Sequence, residues 1–454
     1  MADAVKRRYS RLAWVALACL VVPMFASYFF DDMFSTISYL FEDPSRTALG
    51  WDAAGYGLYT SGYSVLCVFG GLVICGILLD KWGVRITGSI FVGMMAAGAL
   101  LVLHAITAGY APAKSLRLAY AGCMFFGLGS EIAGTAVTRS IAKWFREGPM
   151  ALAMGLQLAI ARLGTAVALV LSPRLVVENA GHVYSLSETA RPAVFGLGLM
   201  AAGLILWAVF VALDAKRYPA GQGVSGQSDE EAFRLKDVLK VLGNRNFWML
   251  GLLCVLFYSS IVAFKKFAGA ILIPRFDIPA STAGWMVSML PFSTVIFAPL
   301  FGLLVDRKGK GTRWMVIGSV LALIAHLLLA FAPAGVPFYG YLSMVFLGFG
   351  YSLVPAALWP SVPKIVPDKV LGTTYSLIYW VQNLGLLSFK WLAGVILGSA
   401  AAGAAAGAAA ASGPVRVELM FVALCVAAVV IALLFARISK RNPGLRLDAP
   451  AGKA

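Results

Sequence analysis

Twelve apolar runs, each long enough to cross a bilayer, recur along this chain with few charges inside them. At about 1.5 Å rise per residue, a helix needs roughly 20 apolar residues to span a hydrocarbon core about 30 Å thick. In that solvent each segment has to satisfy its own backbone amides, so runs of this kind fold as helices. They cover roughly 12–34, 54–79, 86–107, 116–141, 151–173 and 192–214, then roughly 247–272, 282–305, 313–333, 337–362, 371–398 and 415–437. At 60% hydrophobic and 13% charged residues, the chain has more apolar surface than a soluble domain of its size buries. The expected fold class is an all-α membrane protein of twelve transmembrane helices. The first run follows Lys6, Arg7, Arg8 and Arg11 and ends without a small-residue cleavage site, so it is expected to stay as the first helix.

The net charge of +16 raises the question of nucleic acid, but its distribution answers differently. If the spans alternate, 26 of the 37 Lys and Arg residues fall in the termini and even-numbered loops, and seven in the odd-numbered loops. That is the positive-inside asymmetry. It puts both termini in the cytoplasm and gives no reason to expect DNA binding. The partner implied is the lipid bilayer.

One long polar segment divides the spans. The expected organisation is an N-terminal six-helix half (1–214), a cytoplasmic linker (215–246) and a C-terminal six-helix half with its tail (247–454). Within the linker, Asp229 to Leu242 has the pattern of a short amphipathic helix. Ser399 to Pro414 is an Ala/Gly connector with no assigned role.

An internal repeat supports the division. Gly76-Ile-Leu-Leu-Asp80-Lys81-Trp-Gly83-Val-Arg85 follows the second span, and Gly302-Leu-Leu-Val-Asp306-Arg307-Lys308-Gly309-Lys310 follows the eighth. The form G-x-x-x-D-[RK]-x-G-x-[RK] at this place resembles the signature of the major facilitator superfamily, and the likeness extends over the whole chain. The second copy departs at its last position, where Gly311 follows Lys310. The resemblance implies two halves that rock around a midplane site, with Asp80, Arg85, Arg139, Asp306 and Arg307 holding the cytoplasmic gate. In that setting an Asp of the motif can cap a helix end or pair with Arg139 or Arg85.

No catalytic set is visible, and the chain does not read as an enzyme. The three histidines, His104, His182 and His326, are far apart, and no His/Cys/Asp group has ligand spacing, so neither metal nor cofactor is expected. His104 and His326 read as polar residues toward the outer ends of their spans. The six cysteines lie in predicted spans and read as small packing residues. No phosphate-binding glycine loop suggests ATP drive.

What remains is the intramembrane charge. Glu131 in the fourth span and Arg162 in the fifth lie at equal distance from the turn Lys143-Trp-Phe-Arg-Glu-Gly-Pro149, which sets them at similar depth in a helical hairpin. A charge there costs at least ~2.5–3.5 kcal/mol and usually pairs or faces a cavity. The two can form a fixed ion pair that locks the spans together, or receive a zwitterion, with an ammonium on Glu131 and a carboxylate on Arg162.

A narrower resemblance favours the second. Phe126-Gly-Leu-Gly-Ser-Glu131, Lys143-Trp-Phe and Gly155-Leu-Gln-Leu-Ala-Ile-Ala-Arg162-Leu-Gly-Thr165 are similar to the lysosomal dipeptide uniporter branch of the superfamily. So are Phe247-Trp248, Ala298-Pro299, Tyr351-Ser-Leu, Ala357-Leu-Trp-Pro360, Tyr375 and Gln382-Asn-Leu-Gly385. The branch implies facilitated movement of dipeptides by alternating access, with Glu131 and Arg162 contacting the peptide termini. Tyr28, Trp359, Tyr375 and Asn383 are further candidates for the cavity wall.

Lys265, Lys266 and Lys390 have no counterpart in that pattern. Lys265 and Lys266 read as cations snorkelling at the outer end of the seventh span, and Asp31 and Asp32 as charges of the outer mouth. The tail before the first span is short, without an acidic dileucine pattern, and sequons are absent. Those features point to a prokaryotic plasma membrane rather than a lysosome, and the chain is expected to act as a monomer. A proton-coupled or exchange carrier of organic anions, using Arg162 with the lysines, is the alternative among transporters. A non-transporting membrane sensor is the alternative from another class. Uniport and proton symport stay open.

Overall fold

The computed structural model describes residues 2–41, 44–145, 149–176, 182–219, 235–367, 370–403 and 412–450. Residues 220–234 of the linker, with the start of its expected amphipathic helix, the hairpin turn at 146–148 and part of the Ala/Gly connector (404–411) lie outside the described residues, as does the side chain of Asp80.

Fourteen helices are seen among the described residues, with one isolated bridge, Thr47 to Tyr184, as the only extended pairing. In the first half they are α1 (Ala2–Asp32), α2 (Ala53–Leu66), α3 (Leu72–Thr107), α4 (Pro112–Trp144), α5 (Met150–Leu175) and α6 (Leu186–Arg217). Next come α7 (Leu235–Leu242) and α8 (Arg245–Lys266). The rest of the second half comprises α9 (Ala268–Phe276), α10 (Ala280–Lys308), α11 (Gly311–Phe331), α12 (Pro337–Leu358), α13 (Leu371–Gly403) and α14 (Ser412–Arg441). Ten segments are long and apolar enough to cross a membrane by composition alone. The other two expected spans fall outside that measure. One is α2, AAGYGLYTSGYSVL, rich in Gly, Ser and Tyr, and the other is α4, which carries Lys114, Arg117, Glu131, Arg139 and Lys143.

Three boundaries differ from the hydropathy reading. The second span breaks at a π-turn, Cys67–Gly71, where Gly70 takes φ +94°. Trp380 of α13 donates to the Val68 carbonyl at 2.7 Å, giving a partner to a backbone group at the irregular turn. The second and third spans run on as the single helix α3, bent only at Gly83, whose φ of +72° no β-carbon residue adopts cheaply. The seventh span stops at Lys266 and restarts as α9 after Phe267.

Within the first half, α3 packs on α4 and α6, α1 on α5 and α6, and α2 on α4. The second half repeats the theme: α11 packs on α12 and α14, α10 on α12, and α8 on α13 and α14. The halves meet through two main seams, α2 against α13 and α5 against α10. Gly57 and Gly394 make the first seam possible: a β-carbon on Gly57 would stand 2.8 Å from the Gly394 Cα. A 3-10 turn, Ser38–Phe41, closes over α9, with Gly269 N donating to the Ser35 carbonyl at 3.1 Å and Ala270 N to Ser38 Oγ at 3.1 Å. These inter-half bonds lie at the end opposite the signature loops. On the signature side of α5 and α10, Leu152, Leu156, Leu300 and Leu303 are exposed.

Candidate substrate site and its flanking charges

Glu131 stands 13 positions before the last residue of α4, and Arg162 stands 12 positions after the first residue of α5. At about 1.5 Å per residue the two are close to level, about 18–20 Å from the hairpin turn. They do not pair. Among the described residues neither makes an ion pair, and each is held by a tyrosine instead. The Tyr63 hydroxyl lies 3.2 Å from Glu131 Oε1 and 3.1 Å from Ser130 Oγ, and Ser130 in turn is 2.6 Å from Ser27 Oγ. Arg162 Nη1 donates to the Tyr351 hydroxyl of the opposite half at 2.7 Å. Its guanidinium is 5.1 Å from the Tyr351 ring centre and 5.8 Å from that of Tyr28. Tyr28 lies within electrostatic reach of both Arg162 and Glu131.

An aromatic wall from the second half faces this pair of charges. Tyr258 sets its ring edge-on to Tyr351 at 6.1 Å, and its hydroxyl accepts from Trp359 Nε1 at 3.2 Å. Trp359 stacks on Tyr379 at 5.0 Å and on Tyr375 at 6.1 Å, and the Tyr375 hydroxyl donates to the Trp359 carbonyl at 3.3 Å. Three of the four candidate wall residues are thereby placed: Tyr28 beside Arg162, and Trp359 and Tyr375 in the stack. Asn383 is 3% exposed; its Nδ2 donates to the Tyr379 carbonyl of its own helix at 3.1 Å, while its buried Oδ1 has no hydrogen-bond partner among the described residues. Tyr63, Tyr258, Tyr351 and Tyr379 were not singled out from the sequence as site residues. A tyrosine in a span carries no signal of which way it points.

Lys390 of α13 is 2% exposed, its Nζ 5.3 Å from the Tyr63 ring centre. Lys265 and Lys266 do not snorkel. Because α8 ends at Lys266, both ammoniums turn into the bundle against the end of α1. Lys265 Nζ reaches Asp32 Oδ2 at 2.6 Å, and Lys266 Nζ reaches Asp32 Oδ1 at 2.9 Å and Asp31 Oδ2 at 2.8 Å. Lys266 also donates to the Asp31 carbonyl, Thr165 donates to Asp32 Oδ2 at 2.8 Å, and the Tyr56 hydroxyl donates to the Lys266 carbonyl at 3.0 Å. Asp32 and Lys266 are each 1% exposed. Such burial is tolerable only because every charge has an opposite within reach.

At the signature end, Arg85 binds Asp214. Its Nε lies 2.6 Å from Asp214 Oδ2 and its Nη2 donates to the carbonyls of Asp214 and Tyr218. The bend at Gly83 delivers Arg85 to the end of α6. Lys143 Nζ is 3.1 Å from both Asp214 oxygens, and Trp144 Nε1 donates to Oδ1 at 2.7 Å. In the second copy Asp306 and Arg307 are exposed. Asp448 from the tail caps α11 instead, accepting from Thr312 N and Oγ1, both at 2.9 Å, and from Ser439 Oγ at 2.8 Å. His326 is fully buried rather than at a polar edge, with Nδ1 2.8 Å from Glu418 Oε2. Arg139 of α4 is half-buried. All six cysteines are buried and unbridged.

Two bundles of six joined through the second, fifth, eighth and eleventh spans, with signature loops at corresponding places, define a secondary transporter rather than an enzyme. The sequence profile of the Major Facilitator Superfamily matches residues 20–389, and the chain belongs to that family. It is 29% identical over 442 residues to the lysosomal dipeptide transporter MFSD1 of Danio rerio, covering 94% of this chain and 87% of the relative. The Homo sapiens protein of the same name is 27% identical over 400 residues, 87% of this chain and 79% of that one. Solved structures share the fold at low identity. A bacterial homologue of the human lysosomal transporter Spinster, inward-facing and unoccupied, superposes with a TM-score of 0.71 at 13% identity, covering 95% of this chain and 98% of its own. The POT family transporter PepTSo gives 0.65 at 14% identity, with coverage of 94% and 98%.

Proposed function

We propose that this transporter carries dipeptides, or zwitterions of similar size, down their gradient by alternating access. The observation that carries the reading is the separation of Glu131 and Arg162. They stand level on neighbouring helices, and among the described residues each accepts or donates its side-chain hydrogen bond only with a neutral tyrosine hydroxyl, so each keeps room for an opposite charge. A peptide ammonium fits Glu131 and a peptide carboxylate fits the fork of Arg162. Tyr28 lies beside Arg162, while Trp359 and Tyr375 offer flat apolar surface to peptide side chains without selecting among them. The resemblance to dipeptide transporters supports the same substrate class.

In the conformation described, the Asp31–Asp32–Lys265–Lys266 cluster clamps the halves together at one end, and the inner leucines of α5 and α10 are exposed at the other. With the basic loops in the cytoplasm, this is a carrier closed to the outside. Asp80, Arg85, Arg139, Asp306 and Arg307 sit in or beside the signature loops that must approach each other when the carrier turns outward. The setting is a prokaryotic plasma membrane, with the chain working as a monomer. Dipeptide counterflow in proteoliposomes tests the site: it proceeds in the wild type, weakens in Glu131→Gln and collapses in Arg162→Ala. Undiminished flux in both variants overturns the assignment. Uptake that is indifferent to an imposed pH gradient supports facilitated transport, and gradient-driven accumulation replaces it with proton symport.

A further inference from the structure

Lys390 is the charge in the bundle that the peptide reading leaves without work. It is 2% exposed on α13, at the seam against α2, and among the described residues its ammonium has no hydrogen-bond or ion-pair partner, only the Tyr63 ring at 5.3 Å. A buried lone cation is costly, and a ring face repays only part of it, about 0.5–2 kcal/mol. Tyr63 is also the residue whose hydroxyl holds Glu131, so Lys390 and Glu131 meet the same side chain, one over its ring and the other at its hydroxyl.

The surrounding charges are unbalanced in the same sense. From Asp31 down to Glu131, the interface between the halves carries Arg162, Lys265, Lys266 and Lys390 against Asp31, Asp32 and Glu131. The lysines at 265 and 266 are used up by the two aspartates. Arg162 and Lys390 remain against Glu131 alone. A zwitterionic peptide brings one charge of each sign and leaves the excess untouched, whereas a substrate with a second carboxylate cancels it.

We propose that Lys390 is the site for a second anionic group of the substrate, the side-chain carboxylate of a dipeptide whose first residue is Asp or Glu. The inference rests on Glu131 and Arg162 receiving the peptide termini. Lys390 lies on the Glu131 side, and so the residue bearing the free ammonium is the one whose side chain it reads. The flexible four-carbon stem lets the ammonium leave the ring of Tyr63 and meet the carboxylate.

The test is a panel of Glu-Ala, Ala-Glu, Ala-Ala and glutarate, read by counterflow and by ligand-induced thermal shift, on the wild type, Lys390→Met and Lys390→Arg. Glu-Ala is expected to bind about tenfold more tightly than Ala-Ala in the wild type, a preference lost in Lys390→Met and regained in Lys390→Arg, the scale of one charge pair across an interface. Lys390→Met is expected to carry Ala-Ala as well as the wild type does and to melt no lower, because it removes an uncompensated charge. Equal affinity for Glu-Ala and Ala-Ala, an equal preference for Ala-Glu, or a preference that survives in Lys390→Met overturns the proposal. If the wild type ignores every dipeptide but glutarate stabilises it in a Lys390-dependent way, the dipeptide reading fails and the anion site stands. If no ligand in the panel acts, both fall.

Discussion

Two sets of buried charge lie along the same interface and are treated in opposite ways. At the closed end, Asp31, Asp32, Lys265 and Lys266 saturate one another, with Thr165 adding a further bond to Asp32. Deeper in, Glu131, Arg162 and Lys390 have tyrosines for company and, among the described residues, no ion of opposite sign in contact. The first set spends its charge on holding two halves together. The second keeps its charge unspent, at a cost in stability that a bound substrate would relieve. The same residue types thus serve as a clamp in one place and as a receptor in the other, and the difference is the partner.

That contrast makes stability and binding separable. The largest effect is expected from Asp32→Asn, which takes away the carboxylate that Lys265 contacts and leaves Lys266 with Asp31. Breaking a buried ion network from one side costs about 3–5 kcal/mol, so a large fall in thermal stability in detergent is the expected reading. An unchanged melting temperature would show that the clamp is not closed in solution. Next comes Arg162→Ala, expected to cut dipeptide flux about 100-fold through loss of a buried charge–charge contact. It should cost stability only about 1 kcal/mol, the worth of its one hydrogen bond. A melting temperature lowered as far as by Asp32→Asn would erase the distinction between the two sets. Glu131→Gln keeps the shape and the Tyr63 contact but loses the charge, and about a tenfold rise in apparent KM is expected from the missing charge pair. The smallest effect belongs to Thr165→Val, which trims one hydrogen bond from the clamp: about 1 kcal/mol of stability and no change in KM. A change in KM there would mean that the clamp also senses substrate.

Much of the frame was legible because the bilayer imposes length and composition on each span. The level placement of Glu131 and Arg162 followed from counting residues on either side of one turn. What counting could not supply was direction. Whether Glu131 faced Arg162 or Tyr63 depends on rotation about two helix axes, and that is fixed by packing against α2 and α12, not by spacing. Lys265 and Lys266 looked like surface cations because nothing in the run around them announces that α8 ends at Lys266 and restarts at Ala268. The continuation of α3 through Asp80 to Arg85 was hidden for a related reason. Charges mark where a span leaves the lipid, but a helix can leave the lipid without ending. Asp214 and Asp448 lie outside both signature copies, so the motif gave no hint that they organise its two ends.

The cap that Asp448 places on α11 has a practical side. It draws a strand of tail, from Leu445 to Pro450, across the loop between α10 and α11, where Lys310 N donates to the Asp448 carbonyl at 2.9 Å and Lys364 Nζ lies 3.3 Å from the Ala449 carbonyl. Trimming the chain before residue 448, a common step in preparing membrane proteins for crystals, would strip the first turn of α11 of its acceptor. It would also leave the second half with a slacker inner end than the first, whose equivalent anchor, Asp214, lies inside a helix and is out of reach of any trimming. A preparation shortened before Asp448 therefore reports on a molecule whose two halves no longer match.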